Sequence, residues 1–323
     1  MMSLLDVQNL RTYYFTRRGL LKALDGVNLS LEPEEILGLV GESGSGKSTL
    51  AMSIIRLISP PGRIIDGRVL FCGDNLLEKS ESYMRKEIRW KQISMVFQGS
   101  MNALNPLFRV REQITEAIVL HENIGKAEAL EKALELLKMV GIDPSRGKDY
   151  PHEFSGGMKQ RAVIAMSLAC NPRLLIADEP TTALDVLLQA QICELIKSLK
   201  EELKLSVIWI THDLPLISGI SQKIAVMYAG RLAELSSAAA LIEEPLHPYT
   251  QILINSVLSI KGPKKRIDTI GGIFPDLLNL PVGCRFHPRC SRVMEVCRRE
   301  EPEFVEVEKG HYVACHLYTN SKK

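Results

Sequence analysis

At 323 residues the chain has room for one large domain with an extension, or for two domains. Hydrophobic residues make up 46% and charged residues 24%, a globular balance that argues against disorder. The net charge of +2 supplies no strong field for nucleic acid, so any basic patch is local and no nucleic-acid partner is expected.

The N-terminal stretch MMSLLDVQNLRTYYF lacks the basic region, apolar core and small-residue cleavage site of a secretory signal. No apolar run approaches the ~18 residues that a membrane-spanning helix needs. The expected compartment is the cytosol, with any membrane role reached through a partner. An odd count of seven cysteines argues against a disulfide framework.

In chain order, LLDVQNLRTYYF and KALDGVNLSLE are rich in strand formers and are expected to be β-structure interrupted by Asp25-Gly26. EILGLV, residues 35–40, is a short apolar run of the buried parallel type. TLAMSIIRLI then shows helical spacing. From about 101 to 169 the pattern is helical. KAEALEKALELLKMVGI places Leu130, Ala133, Leu134, Leu137 and Val140 on one face, with Gly141 as its stop. RLLIADE reads as another buried strand, residues 184–203 as an amphipathic helix, and SVIWITHD as a further strand. IAVMYAGRLAEL reads as a hairpin turning near Ala-Gly. Strands alternating with helices indicate an α/β domain with a largely parallel core sheet, and the helical insertion is expected to form its own lobe. After about residue 246 the texture changes, and KGPKKR at 261–266 reads as a solvated connection.

GESGSGKS at 41–48 fits a phosphate-binding loop between a strand and a helix. Its glycines let backbone N–H groups turn toward phosphate oxygens. Lys47 reaches the β- and γ-phosphates, Ser48 can ligate Mg2+, and the helix adds its positive end. Downstream, Asp178 ends an apolar strand and is placed to hold Mg2+ through water. Glu179, one step on, is placed to polarise the water that attacks a γ-phosphate. FSGGMKQR at 154–161 opens another helix with exposed N–H groups, a second anion site in a chain with one nucleotide loop.

In this order and spacing, the motifs make residues 1–245 resemble the ATP-binding cassette (ABC) ATPases. FSGGMKQ is similar to that family's signature motif, with Phe154 where Leu is commoner and Met158 where Gln is common. Gln98 in MVFQG resembles the glutamine loop, Asp185 in TTALD the D-loop, and His212 in WITHD the switch histidine. Tyr14 stands where the family stacks an aromatic on adenine, with Tyr13 and Phe15 beside it. The resemblance implies an α/β fold: a P-loop ABC ATPase core with an antiparallel β-subdomain, a helical subdomain at about 100–169, and a small C-terminal cysteine-rich extension at 246–323.

It also implies roles for these residues. ATP would be held by Tyr14, Gly41, Ser43, Gly44, Ser45, Gly46, Lys47, Ser48, Thr49, Gln98, Asp178, Glu179 and His212. Mg2+ would be held by Ser48, Gln98 and Asp178. Catalysis would fall to Glu179, His212, Lys47 and Gln98. Two cassettes would face each other head to tail, so that Ser155, Gly156, Gly157 and Met158 cover the partner's ATP. Gln98 would couple the nucleotide to the helical lobe, which meets membrane subunits.

FQGSMNALNP, PLHPYTQILINSV and LPVGCRFHPRC resemble segments of the peptide- and nickel-importer branch, which extends the match over nearly the whole chain. The branch implies an ATPase subunit powering uptake of dipeptides or oligopeptides, peripheral on the cytoplasmic face of the membrane. The implied partners are a second, non-identical ABC ATPase subunit, two transmembrane permease subunits and an extracytoplasmic substrate-binding protein. Nickel or another small solute is the alternative cargo, and a regulatory ABC ATPase without a membrane partner is the alternative role. A chromosome-maintenance ATPase would separate the two motifs by long coiled coils, and no sustained heptads occur here. A ribosome-associated factor would carry two cassettes, and the C-terminal extension argues against an exporter.

Cys284, Cys290, Cys297 and Cys315 cluster in the tail with spacings of five, six and seventeen intervening residues. Zinc sites usually show tight knuckles of two to four residues, which are absent, whereas a four-iron cluster accepts looser spacing. The pattern therefore favours iron–sulfur over Zn2+, and the resemblance implies a 4Fe–4S cluster that staples a tail too short for a large core of its own. Cys72, Cys170 and Cys193 are expected as buried small hydrophobes in strand or helix.

Overall fold

A computed structural model describes residues 3–99, 102–255 and 271–319. The chain divides into two compact units. The first takes Met1–Ser30, Leu37–Leu77 and Thr211–Lys323, and the second Leu31–Ile36 and Glu78–Ile210. The helical segment expected at 100–169 falls inside the second unit, and the described part of 246–319 falls inside the first.

In the first unit, β1 (Leu5–Thr16), β2 (Gly19–Leu31), β4 (Gly62–Phe71) and β5 (Asp74–Asn75) lie side by side in the order β2-β1-β4-β5, with β1 antiparallel to β4. The burial of β1 alternates along much of its length, as a sheet covered on one face requires. Asp25-Gly26 does not interrupt the structure. It lies inside β2, where Gly26 takes a φ of 89°, and the turn between β1 and β2 falls at Arg17-Arg18 instead. β3 (Ile36–Val40) is fully buried and pairs in parallel with β9 (Lys223–Tyr228). β9 turns back into β10 (Arg231–Ser237) through Ala229-Gly230, whose φ values of 45° and 83° are those of the expected two-residue hairpin. The tail then adds β11 (Val305–Glu308) and β12 (His311–Val313), with β12 antiparallel to β10.

In the second unit, β6 (Ile93–Val96), β7 (Leu174–Asp178) and β8 (Ser206–Thr211) run parallel, with β7 between the others. Every residue of β7 and β8 is buried, which is why both read as unbroken apolar runs. The helices Val110–His121, Lys126–Met139 and Gly156–Ser167 pack on one another.

The buried stripe of Lys126–Met139 is Ala129, Ala133, Leu136 and Leu137, continued by Val140. Leu130 and Leu134 sit at its edge, half-buried, so the face is rotated from the one expected. Each fully buried leucine contributes about 1.5–3 kcal/mol. Gly141 stops the helix as expected: with φ at 75°, its N–H reaches the Lys138 carbonyl, and the Ile142 N–H reaches that of Leu137. The helix Val186–Leu203 starts two residues later than expected, because Asp185 caps it by accepting the Leu188 N–H.

Cys72 departs from expectation. It is exposed, in the tight turn before Gly73, with a φ of 52°. Cys193 is buried in a helix, and Cys170 is buried in the turn after one. The connection at 261–266 and the residues Ser100 and Met101 lie outside the described residues.

Candidate nucleotide site and the tail that touches it

The phosphate-binding loop leaves the buried end of β3 and opens the helix Lys47–Ile54. Gly46, at the helix start, has a φ of 108°, and a Cβ there would lie 2.6 Å from the Ala23 carbonyl oxygen. Only glycine meets both demands. Lys47 is buried, and its Nζ donates to the carbonyls of Gly41 at 2.7 Å and Glu42 at 2.9 Å, and to Ser45 Oγ at 3.4 Å. The ammonium is thus folded over the loop it serves. Ser43, Gly44 and Ser48 are exposed, and Thr49 is half-buried.

On β1, Thr12 bonds Ser53 of the loop's helix at 2.8 Å, and Tyr14, two residues on, shares that strand face. Tyr13 points the other way and donates to Asp25 Oδ1 at 2.6 Å. Phe15 is half exposed with Arg63 over its ring. Of the three neighbours, Tyr14 is the aromatic on the side of the phosphate loop's helix. His212 is exposed directly after β8.

In the second unit, Asp178 is buried at the end of β7, and Glu179 follows with a φ of 48°, a left-handed conformation that a non-glycine residue adopts at a cost. Gln98 donates to Glu179 Oε2 at 2.9 Å, and the Thr182 hydroxyl donates to the same oxygen at 2.9 Å. Two of the expected residues, Gln98 and Glu179, are therefore in direct contact, and Thr182 joins them unforeseen. Ser155 caps the helix Gly156–Ser167 by accepting the Met158 N–H at 3.3 Å, and Ser155 and Gly156 are exposed. Gly157 is buried, and a Cβ there would lie 3.0 Å from the end of the Leu188 side chain, which would have to give by a few tenths of an ångström. Asp185 is exposed, followed by Val186 at 82% and Leu187 at 70% exposure, an apolar pair left facing outward.

The tail packs into the first unit through rings. Phe286 lies against Tyr228, Tyr249 and His247, with ring centres 5.2–5.6 Å apart. Arg285 donates to Asp25, to the Ala229 carbonyl at 2.6 Å and to Glu301 at 3.1 Å. Burial raises the Asp25 pKa, but the Tyr13 hydroxyl and Arg285 outweigh it and hold the carboxyl below its usual range. Glu234, fully buried, accepts the N–H groups of Leu246 and His247 and meets His311 at 2.7 Å. These contacts anchor the segment to β2, β9 and β10. Tyr249 accepts the Glu42 N–H at 2.8 Å, and Arg289 bonds the Glu42 carboxylate. The sequence did carry a signal for that ion pair: an acid at the second position of a phosphate loop calls for a countercharge.

None of the four tail cysteines forms a disulfide. Burial pushes the Cys284 thiol up to about 12, with Cys297, Cys315 and Cys290 adding to the effect. Burial likewise pushes Cys315 up to about 11, with Cys290 and Cys297 contributing. The four thiols thus gather closely enough to oppose each other's ionisation. Among the described residues, no three His, Cys, Asp or Glu side chains stand as a single-ion site. No helix among them is long and apolar enough to cross a membrane.

A family model described as ABC transporter matches residues 24–182, and one described as the C-terminal region of oligopeptide/dipeptide transporters matches 233–297. The chain is 49% identical to a probable peptide ABC transporter ATP-binding protein of Sinorhizobium fredii, over 97% of this chain and 94% of the relative. It is 46% identical to the oligopeptide transport ATP-binding protein OppD of Escherichia coli, over 97% and 93%. It is 43% identical to the dipeptide transport ATP-binding protein DppD of Caldanaerobacter subterraneus, over 99% and 98%. Among solved structures, a dimeric ATP-binding cassette in a post-hydrolysis state bound to ADP and Pi is 29% identical at a TM-score of 0.65, covering 72% of this chain and 98% of that one. The structure of cbiO1 from Clostridium perfringens, part of an ABC transporter complex, is 27% identical at 0.66, covering 76% and 92%.

Proposed function

The chain belongs to the ABC transporter family, among its peptide-transport ATP-binding proteins, and on that premise we propose that it drives uptake of dipeptides or oligopeptides by hydrolysing ATP. The observation that carries the reading is the pairing, in one chain, of the phosphate loop at 41–48 with the C-terminal region matched at 233–297.

Phosphoryl transfer to water asks the protein for position and charge rather than covalent chemistry. Lys47 exchanges its loop carbonyls for the β- and γ-phosphates, while the N–H groups from Gly41 to Thr49 line the phosphate chain. Tyr14 stacks on adenine. Ser48, Asp178 and Gln98 are the residues that would hold Mg2+, which would offset phosphate charge. Glu179, steadied by Gln98 and Thr182, takes the proton of the attacking water, and His212 supports charge on the γ-phosphate. Ser155, Gly156, Gly157 and Met158 cover the nucleotide of a second cassette. The exposed Val186 and Leu187 beside Asp185 fit a chain that pairs with such a partner.

The assembly we propose has a non-identical second ATPase chain, two permease subunits and an extracytoplasmic binding protein, with this chain peripheral on the cytoplasmic face. Cys284, Cys290, Cys297 and Cys315 are proposed to hold a 4Fe–4S cluster. What supports the cluster over Zn2+ is the cysteine spacing of five, six and seventeen intervening residues, looser than the knuckles of a zinc site. No step of ATP hydrolysis runs through it.

The test is co-purification from membranes followed by uptake in proteoliposomes. ATP-dependent accumulation of labelled peptide supports the reading. Accumulation of nickel alone replaces the cargo, and absence of any permease in the pull-down replaces the role with a regulatory one.

A further inference from the structure

Glu42 places a carboxylate in the loop that is to receive a polyphosphate, and its own carbonyl accepts the Lys47 ammonium. An unpaired acid there would repel the ligand. Arg289, from the tail, donates from one nitrogen to both carboxylate oxygens of Glu42, at 3.0 and 3.2 Å, and to the Tyr228 hydroxyl at 3.2 Å. Its Nε donates to the Gly271 carbonyl at 3.0 Å. The Arg289 side chain is only 5% exposed, so the guanidinium is held rather than waving in solvent. Tyr249 fixes the same loop residue through its backbone N–H. Docking of the tail is already supplied by Phe286 and by the Arg285–Asp25 pair, so the reach of Arg289 to the loop is a separate feature.

We propose that Arg289 is a positioning residue for nucleotide binding: it neutralises Glu42 and holds it aside, so that the loop meets ATP phosphates without a competing negative charge. This rests on the ATPase reading above, and it makes the tail part of the nucleotide site although Arg289 need touch no nucleotide.

The experiment is titration of the full-length chain with ATP, ADP and adenosine, each with Mg2+. Arg289→Ala is expected to weaken ATP about tenfold, ADP less, and adenosine not at all, because the effect scales with ligand charge. Adding Glu42→Gln to that variant should restore ATP binding to within about twofold of the parent, and Arg289→Lys should keep most of it. A purely structural contact would weaken all three ligands alike and would not be rescued. Unchanged ATP binding in Arg289→Ala, equal losses for adenosine, or failure of the second substitution to rescue would each overturn the proposal. Should Arg289→Ala not fold, Glu42→Gln alone decides: it must bind ATP at least as tightly as the parent, and weaker binding overturns the proposal. A parent chain that binds no ATP would instead remove the ATPase reading itself.

Discussion

Gln98 donates a 2.9 Å hydrogen bond to Glu179, and Thr182 donates to the same carboxylate oxygen. Two neutral donors fix the orientation of the carboxylate. Glu179→Gln keeps the size and removes the basicity. It should bind ATP normally and trap a closed pair, while turnover falls about a hundredfold or more. Steady-state hydrolysis and the sedimentation of the ATP-bound form measure both. Near-normal turnover would take Glu179 out of the role.

Gly46→Ala tests the loop itself. The left-handed φ of 108° costs about 1–3 kcal/mol with a side chain, before the 2.6 Å approach to the Ala23 oxygen is counted. ATP binding should be lost and the melting midpoint lowered. Gly125→Ala is the control: its φ is −72° and a Cβ there meets nothing within 4 Å, so the midpoint should shift little. Equal shifts in the two variants would contradict the assigned strain.

How much of this was legible depends on the range of each interaction. The phosphate loop, the buried runs of β3, β7 and β8 and the Gly141 stop are local patterns, and they stand where their spacing put them. The stripe on Lys126–Met139 came out rotated because an apolar set with five members admits two overlapping faces, and only the packing partners choose between them. Asp25-Gly26 looked like a turn because the dipeptide usually is one. Within β2 it serves the hairpin instead, the Asp25 N–H bonding the Gly230 carbonyl while the Gly230 N–H bonds that of Ser45 in the phosphate loop. Cys72 sits exposed in a turn because a small thiol suits a turn as readily as a core. The ion pairs Arg289–Glu42 and Arg285–Asp25 join residues 247 and 260 positions apart, beyond any periodicity.

The tail cysteines should bind iron. Anaerobically purified protein is expected to be brown, with absorbance near ~400 nm from thiolate-ligated iron. Cys290→Ser should lower both iron content and colour, while the aromatic contacts of Phe286 keep the segment folded. Zinc without iron in the metal analysis would overturn the assignment. Reversible reduction that changes the ATPase rate with the tail intact would give the cluster a sensing role in place of a structural one.

His247 should make the first unit acid-labile. Burial drives its pKa down from 6.5 to about 4, although Glu234 and the Ala314 backbone pull the other way. Its Nδ1 accepts the Tyr249 N–H at 3.0 Å, which requires an unprotonated nitrogen. Because the folded pKa lies below the unfolded one, the unfolded chain takes up the proton first. The contribution is therefore complete above pH 6.5 and is lost as pH falls from 6.5 toward about 4, by on the order of 3 kcal/mol. Urea midpoints measured from pH 7.5 to 4.5 should drop for the parent chain and drop less for His247→Asn. Parallel slopes would show that the acid sensitivity comes from another group and would overturn the assignment to His247.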